Sequence, residues 1–131
     1  MSWATDRAAI VTGLPAGYVN IPLNVEPDGE QDKPISHNHK AYSLKLRGII
    51  DGDLLSSDVF HYSHLVEMKV IYVGVDGTQL ITNEGLAMTL VQTISGLSAF
   101  HNFAEDPTIE ALDSKHIMLT LVFHYGQDDN E

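Results

Sequence analysis

The chain contains no cysteine, and that absence removes a disulfide framework, a thiolate metal site and a cysteine nucleophile at one stroke. Cations are scarce. Seven Lys and Arg stand against 18 Asp and Glu, a formal net charge of −11, which argues against binding nucleic acid or anionic lipid by counterion release. There is no apolar run of 18 residues, so no membrane-spanning helix is expected. The opening Met1-Ser2-Trp3-Ala4-Thr5-Asp6-Arg7 has neither the basic start nor the apolar stretch of a signal peptide. Walker A, G-x-G-x-x-G and G-x-S-x-G patterns are all missing, so nucleotide binding and a serine nucleophile elbow lack sequence support. What remains is 131 residues with 44% hydrophobic content, enough for one self-sufficient core and one domain, 1–131.

Charge is unevenly placed. Glu26 to Asp32 holds four carboxylates, Asp51 to Asp58 three, and Asp128 to Glu131 three. Turn formers accompany them (Pro27, Asp28-Gly29, Pro34, Asp51-Gly52, Gly126), so acidity marks loops and the tail at 126–131. Residues 26–39 have no periodicity, and such a long irregular acidic connection in a compact domain points to function or mobility.

Between these stretches the periods are readable. Trp3, Arg7, Ile10 and Leu14 recur at helical spacing, with Ser2 as cap, Asp6 suited to the first-turn dipole and Gly13 as the stop. Val19, Ile21, Leu23 and Val25 alternate with polar residues, and Pro22 confines that strand to an edge. Lys40 to Ile50 alternates again, with Tyr42, Leu44 and Leu46 on one face and Ser43, Lys45 and Arg47 on the other. Val59 to Val73 is the longest strand signal; fifteen residues predict a bulge or a flap beyond the sheet. Asp76-Gly77 is expected to turn the chain, and Leu86, Leu90, Ile94 and Leu97 predict an amphipathic helix over 83–98, capped by Thr82 or Asn83. The stretch to Ser114 reads as irregular, and Ile117 to Tyr125 as a central strand apolar on both faces. The fold class is therefore α+β: a single mixed sheet of about four strands, with a short N-terminal helix and one amphipathic helix packed on one face.

Seven histidines raise the question of a metal or a base. His37 and His39 form an H-x-H pair without a third ligand fixed by spacing. His61 and His64 fall on opposite strand faces, while His116 and His124 share a face roughly 26 Å apart. Ser43 and Ser63 have no base at a compelling spacing, and Asp51/Asp53 and Glu105/Asp106 sit at turns or beside Pro107. No catalytic, cofactor or metal site is expected. The basic residues Lys45, Arg47 and Lys69 are more informative, because pairing of their strands would gather them on one sheet face. They complement the loop carboxylates Glu26, Asp28, Glu30 and Asp32, and these seven residues are the candidate contacts between copies of the chain.

The helix at Trp3 to Thr12, the aromatic-rich strand Phe60 to Val73, the helix Asn83 to Ser98 and the closing strand Lys115 to Tyr125 give a layout that resembles the tail terminator proteins of long-tailed bacteriophages. That resemblance implies a non-enzymatic virion protein, a homo-oligomeric ring (a hexamer in that family), at the head-proximal end of the tail tube. It further implies contacts to the tail tube protein and the head-completion (stopper) protein, assembly in the host cytoplasm, and an acidic lumen through which DNA passes without being held. Two alternatives stay open: another neck or tail-tube component of the same machine, and a small α+β enzyme or ligand-binding domain.

Overall fold

The computed structural model describes residues 3–21, 39–56 and 59–126, with the backbone alone for 50–56 and 59–63. The elements are α1 (Trp3–Thr12), β1 (Val19–Asn20), β2 (Ala41–Ser56), β3 (Val59–Val73), α2 (Gly77–Ser95), β4 (Phe100–Ala111) and β5 (His116–Tyr125). One five-stranded sheet runs in the order β1-β2-β3-β5-β4. β1 lies parallel to β2, and the remaining neighbours are antiparallel. The architecture is α+β, a single mixed sheet with two helices.

Burial follows from strand alternation. Tyr42 and Leu44 of β2, Val66, Met68, Val70 and Tyr72 of β3, and Ile117, Leu119, Leu121, Phe123 and Tyr125 of β5 form one apolar layer. Ile10 of α1 and Ala87, Leu90 and Ile94 of α2 complete it, so both helices serve the same core. Phe100 and Phe103 of β4 stack on Phe123 with ring centroids 6.0 and 6.4 Å away. β3 and β4 both run antiparallel to β5, hence parallel to each other, and α2 carries the chain between them over β5.

Four boundaries differ from expectation. α2 begins at Gly77, six residues early, with Asp76 as cap residue, because the buried stripe continues upstream through a polar residue, Asn83. Asn83 Nδ2 donates to the carbonyls of Val73 (2.8 Å) and Gly74 (3.1 Å), tying the helix to the end of β3. Gly74, at φ 125°, is where the chain leaves the sheet; a Cβ there would meet Gln79 Cβ at 2.8 Å. The Asp76-Gly77 turn is thus part of the helix entry. The segment expected to be irregular contains β4, an edge strand whose three register shifts and Pro107 erase the period of two. β2 does not end at Asp51-Gly52 but continues to Ser56, with Asp51 opposite Tyr62 and Leu54 opposite Phe60. β1 is an edge as expected, and the described residues stop just past it at Ile21; the acidic residues 26–32, His37, the tail from Gln127 and Ser2 lie outside the described residues. Among the described residues no helix is long and apolar enough to cross a membrane.

Candidate functional site

β3 has the predicted excess length. Its pairing with β5 spans His64 to Val73 only, so Val59 to Ser63 pair with β2 alone. The β2–β3 hairpin therefore leaves the sheet as a two-stranded ribbon. Register shifts on β2 at Leu46/Gly48, Asp51/Leu54 and Leu54/Ser56 bend it along its length. Among the described residues no third strand pairs with this part of the ribbon, the support that normally makes a hairpin independently stable.

At the root of this arm lies the sheet face opposite the helices. Lys45 stands opposite Glu67, Glu67 opposite Val122, and Val122 opposite Glu105, one row across four strands. The next row is Ser43, Lys69, Thr120 and Thr108. Lys45, Arg47 and Lys69 thus share a face, as strand pairing requires. Arg47 Nη1 lies 3.9 Å from Glu67 Oε2 and 3.5 Å from Glu105 Oε2. A flat sheet would separate β2 from β4 by roughly 14 Å, a gap that the sheet's twist and the reach of two long side chains close. Arg47 therefore has partners inside its own chain, and exposed pairs of this kind contribute about 0–1 kcal/mol. Ser43, Ile71 and Val122 are buried on the same face. The loop carboxylates Glu26, Asp28, Glu30 and Asp32 lie outside the described residues.

A second group of polar side chains fastens α1 to the helix-side face of the sheet, at the root of the arm. His64, the first residue of β3 to pair with β5, is buried, and its Nδ1 lies 2.6 Å from Oδ2 of buried Asp6. With a carboxylate as acceptor, Nδ1 carries the proton. Trp3 packs on the imidazole, ring centroids 5.6 Å apart. His64 is thus a core residue, and Asp6 does more than suit the helix dipole. The signal was present: Asp6 falls on the stripe Trp3, Arg7, Ile10, where a carboxylate needs a buried partner. Close to this pair, burial and the Asp6 carboxylate raise the Tyr125 phenol above its usual range.

The third group surrounds the entry to β2. Lys40, at φ 64°, occupies the left-handed region, and its N–H donates to the Ile71 carbonyl at 2.7 Å. His39 Nδ1 accepts the Val73 N–H at 3.1 Å, which leaves the ring proton on Nε2. Burial, reinforced by the neighbouring Lys40 ammonium, lowers the His39 pKa. Tyr18 and Tyr72 share a hydroxyl hydrogen bond of 2.8 Å, and Lys40 Nζ lies 5.3 Å from the Tyr18 ring centroid. Burial raises both phenols, most strongly Tyr72, where the Tyr18 hydrogen bond adds to it. His39 also borders a cleft of about 230 Å³ with Thr78, Gln79, Thr82 and Asn83.

Of the other histidines, His101 Nε2 donates to the Gly126 carbonyl at 2.6 Å, and His116 Nδ1 lies 2.7 Å from Asp113 Oδ1. The Lys115 amide and His116 hold the Asp113 carboxyl below the usual carboxylate range. Among the described residues no three His, Asp or Glu side chains converge as a metal site would require. Of the expected contact residues, then, the structure brings together Lys45, Arg47 and Lys69, and adds Glu67 and Glu105 as their companions. Compared with known proteins, the chain matches no family model and no curated protein.

Proposed function

We propose that the chain is a structural subunit of a homo-oligomeric ring, six copies on the pattern of tail terminators, that caps the head-proximal end of a phage tail tube and joins it to the head-completion complex. The observation that carries this reading is the arm formed by residues 49–63. Among the described residues it is a two-stranded ribbon that pairs with no third strand, and contact with a neighbouring copy would supply further packing. The surplus of carboxylates supports the same reading, since a wall of the same sign as DNA lets it pass without holding it. The charged face at the arm's root, with its alternating Lys45, Glu67, Arg47 and Glu105, is suited to setting register between subunits through mild, screened charge contacts.

The test is electron microscopy of the purified protein together with its mass in solution. Rings with a central hole are expected. Replacing residues 52–61 by an Asn-Gly turn should leave a subunit with native circular dichroism that no longer closes into rings. Compact particles of one or two copies at every concentration, with no rings, would overturn the proposal.

A further inference from the structure

In a chain with 18 carboxylates, the nineteen residues of α2 carry a single charge, Glu84. Its inner face is Asn83, Ala87, Leu90 and Ile94. At 100° per residue the opposite stripe is Ile81, Gly85, Met88 and Gln92. Ile81 is 70% and Met88 63% exposed, an unusual display of large apolar side chains on so acidic a protein. Beside them runs a groove of about 330 Å³, with Met88, Val91 and Gln92 on the helix side and Pro107 and Ile109 on the β4 side.

We propose that this face is a two-fold contact between two copies of the chain, in which α2 packs antiparallel on α2, the helices cross at Gly85, and Ile81 of each copy seats against Met88 and the groove of the other. Four observations converge on a second copy as the occupant. Ridge and groove lie side by side on one face, so a self-complementary contact satisfies both, whereas a head-to-tail contact needs them on different faces. Ile81 and Met88 are seven residues apart, about 10.5 Å along the helix, and the midpoint between them falls between Glu84 and Gly85.

Gly85 itself is the third observation. A Cβ built on it meets nothing within 4 Å among the described residues, so none of them requires glycine there. In a helix interior glycine costs about 1 kcal/mol relative to alanine, and a close approach of a second backbone gives the missing side chain a purpose. Charge is the fourth. A copy bearing −11 is repelled by the acidic surfaces, and the nearly uncharged face of α2 is where it can approach. A basic partner would instead select the carboxylate-rich regions.

The contact is small. A helix of this length offers roughly 300 Å² of face, well under the ~800 Å² per partner of a stable complex, so the dimer is weak and reversible. It closes on itself after two copies and makes no use of the β2–β3 arm, so it stands or falls separately from the ring.

The absence of cysteine makes the test direct. Single-cysteine variants report on proximity without background. Under mild oxidation G85C should form a covalent dimer, and I81C mixed with M88C should cross-link more than either alone. T89C, on the flank, should stay largely monomeric. By light scattering at roughly 100 µM the natural chain should approach twice the monomer mass and fall to one at about 1 µM. Ile81→Glu should abolish that dimer with unchanged circular dichroism while leaving any arm-dependent rings, and the arm-shortened variant should keep the dimer. Glu84→Gln, by removing a like charge beside the crossing, should raise the dimer association constant about twofold to threefold. Monomer mass at the higher concentration, with G85C cross-linking no more than T89C, would overturn the proposal. So would cross-linking of I81C to M88C without G85C, which is the mark of a head-to-tail contact.

Discussion

The two helices lie on the same side of one sheet and are held there in opposite ways. α2 is anchored by apolar volume, Ala87, Leu90 and Ile94 pressed on the central strands, with Asn83 fixing only its start. α1 contributes one fully buried aliphatic, Ile10, and depends on a polar contact, Asp6 to His64, roofed by Trp3. Apolar burial supplies free energy but is tolerant of small displacements. A buried hydrogen-bonded pair supplies less net energy and is strict about position, because either group left alone carries its full desolvation cost. α2 therefore holds the fold, and α1 is located by it.

The sharpest way to break that contrast is at Leu90. Leu90→Ala should lower unfolding free energy by about 2–5 kcal/mol, read from the urea midpoint at constant slope. An effect under about 1 kcal/mol would mean that α2 is not the main support. Asp6→Ala should cost less, about 1–3 kcal/mol, because it strands the His64 ring in a buried site. Replacing both residues, Asp6→Ala with His64→Leu, should recover part of the loss, and a coupling energy near zero would show that the pair is not a pair. The smallest effect lies outside both helices, at His39. Its pKa is lowered in the folded protein, so the unfolded chain takes up the proton first. The hydrogen bond from Val73 is therefore fully available above about pH 6.5 and is lost as pH falls through the folded-state value. His39→Gln should flatten this part of the pH dependence of stability between pH 7.5 and 5, and an unchanged profile would remove His39 from it.

The same contrast explains what could be read from the residues in order. Strands β3 and β5 and the helix α1 were legible because each keeps one period from end to end. α2 was legible only from Asn83 onward, since Asn83 interrupts the apolar stripe with a side chain whose partners, the carbonyls of Val73 and Gly74, are backbone groups invisible to periodicity. β4 was not legible at all: each bulge moves the next residue to the other face, and the strand's half-buried positions, Phe100, Phe103 and Pro107, are spaced by three and four residues where a strand period would be two. Charge told less than it promised at Arg47. Its nearest acidic partners, Glu67 and Glu105, come from strands twenty and fifty-eight residues away in sequence, joined by sheet order and coil and not by local pattern. The Asp6–His64 pair was legible in half, as a carboxylate misplaced on an apolar stripe.

Strand order has a consequence for how the chain comes off the ribosome. β5 is inserted between β3 and β4, both of which precede it in the sequence. Until residues 116–125 have emerged, β3 has only its hairpin partner, β4 has no neighbour, and α2 packs against a surface that is still missing its middle row. Synthesis therefore cannot build this sheet outward strand by strand; it must wait, with two exposed edges, for the strand that joins them. Nascent chains stalled after Asp113 should accordingly be degraded by protease as readily as an unfolded chain, and chains stalled once Gly126 has cleared the exit tunnel should resist it.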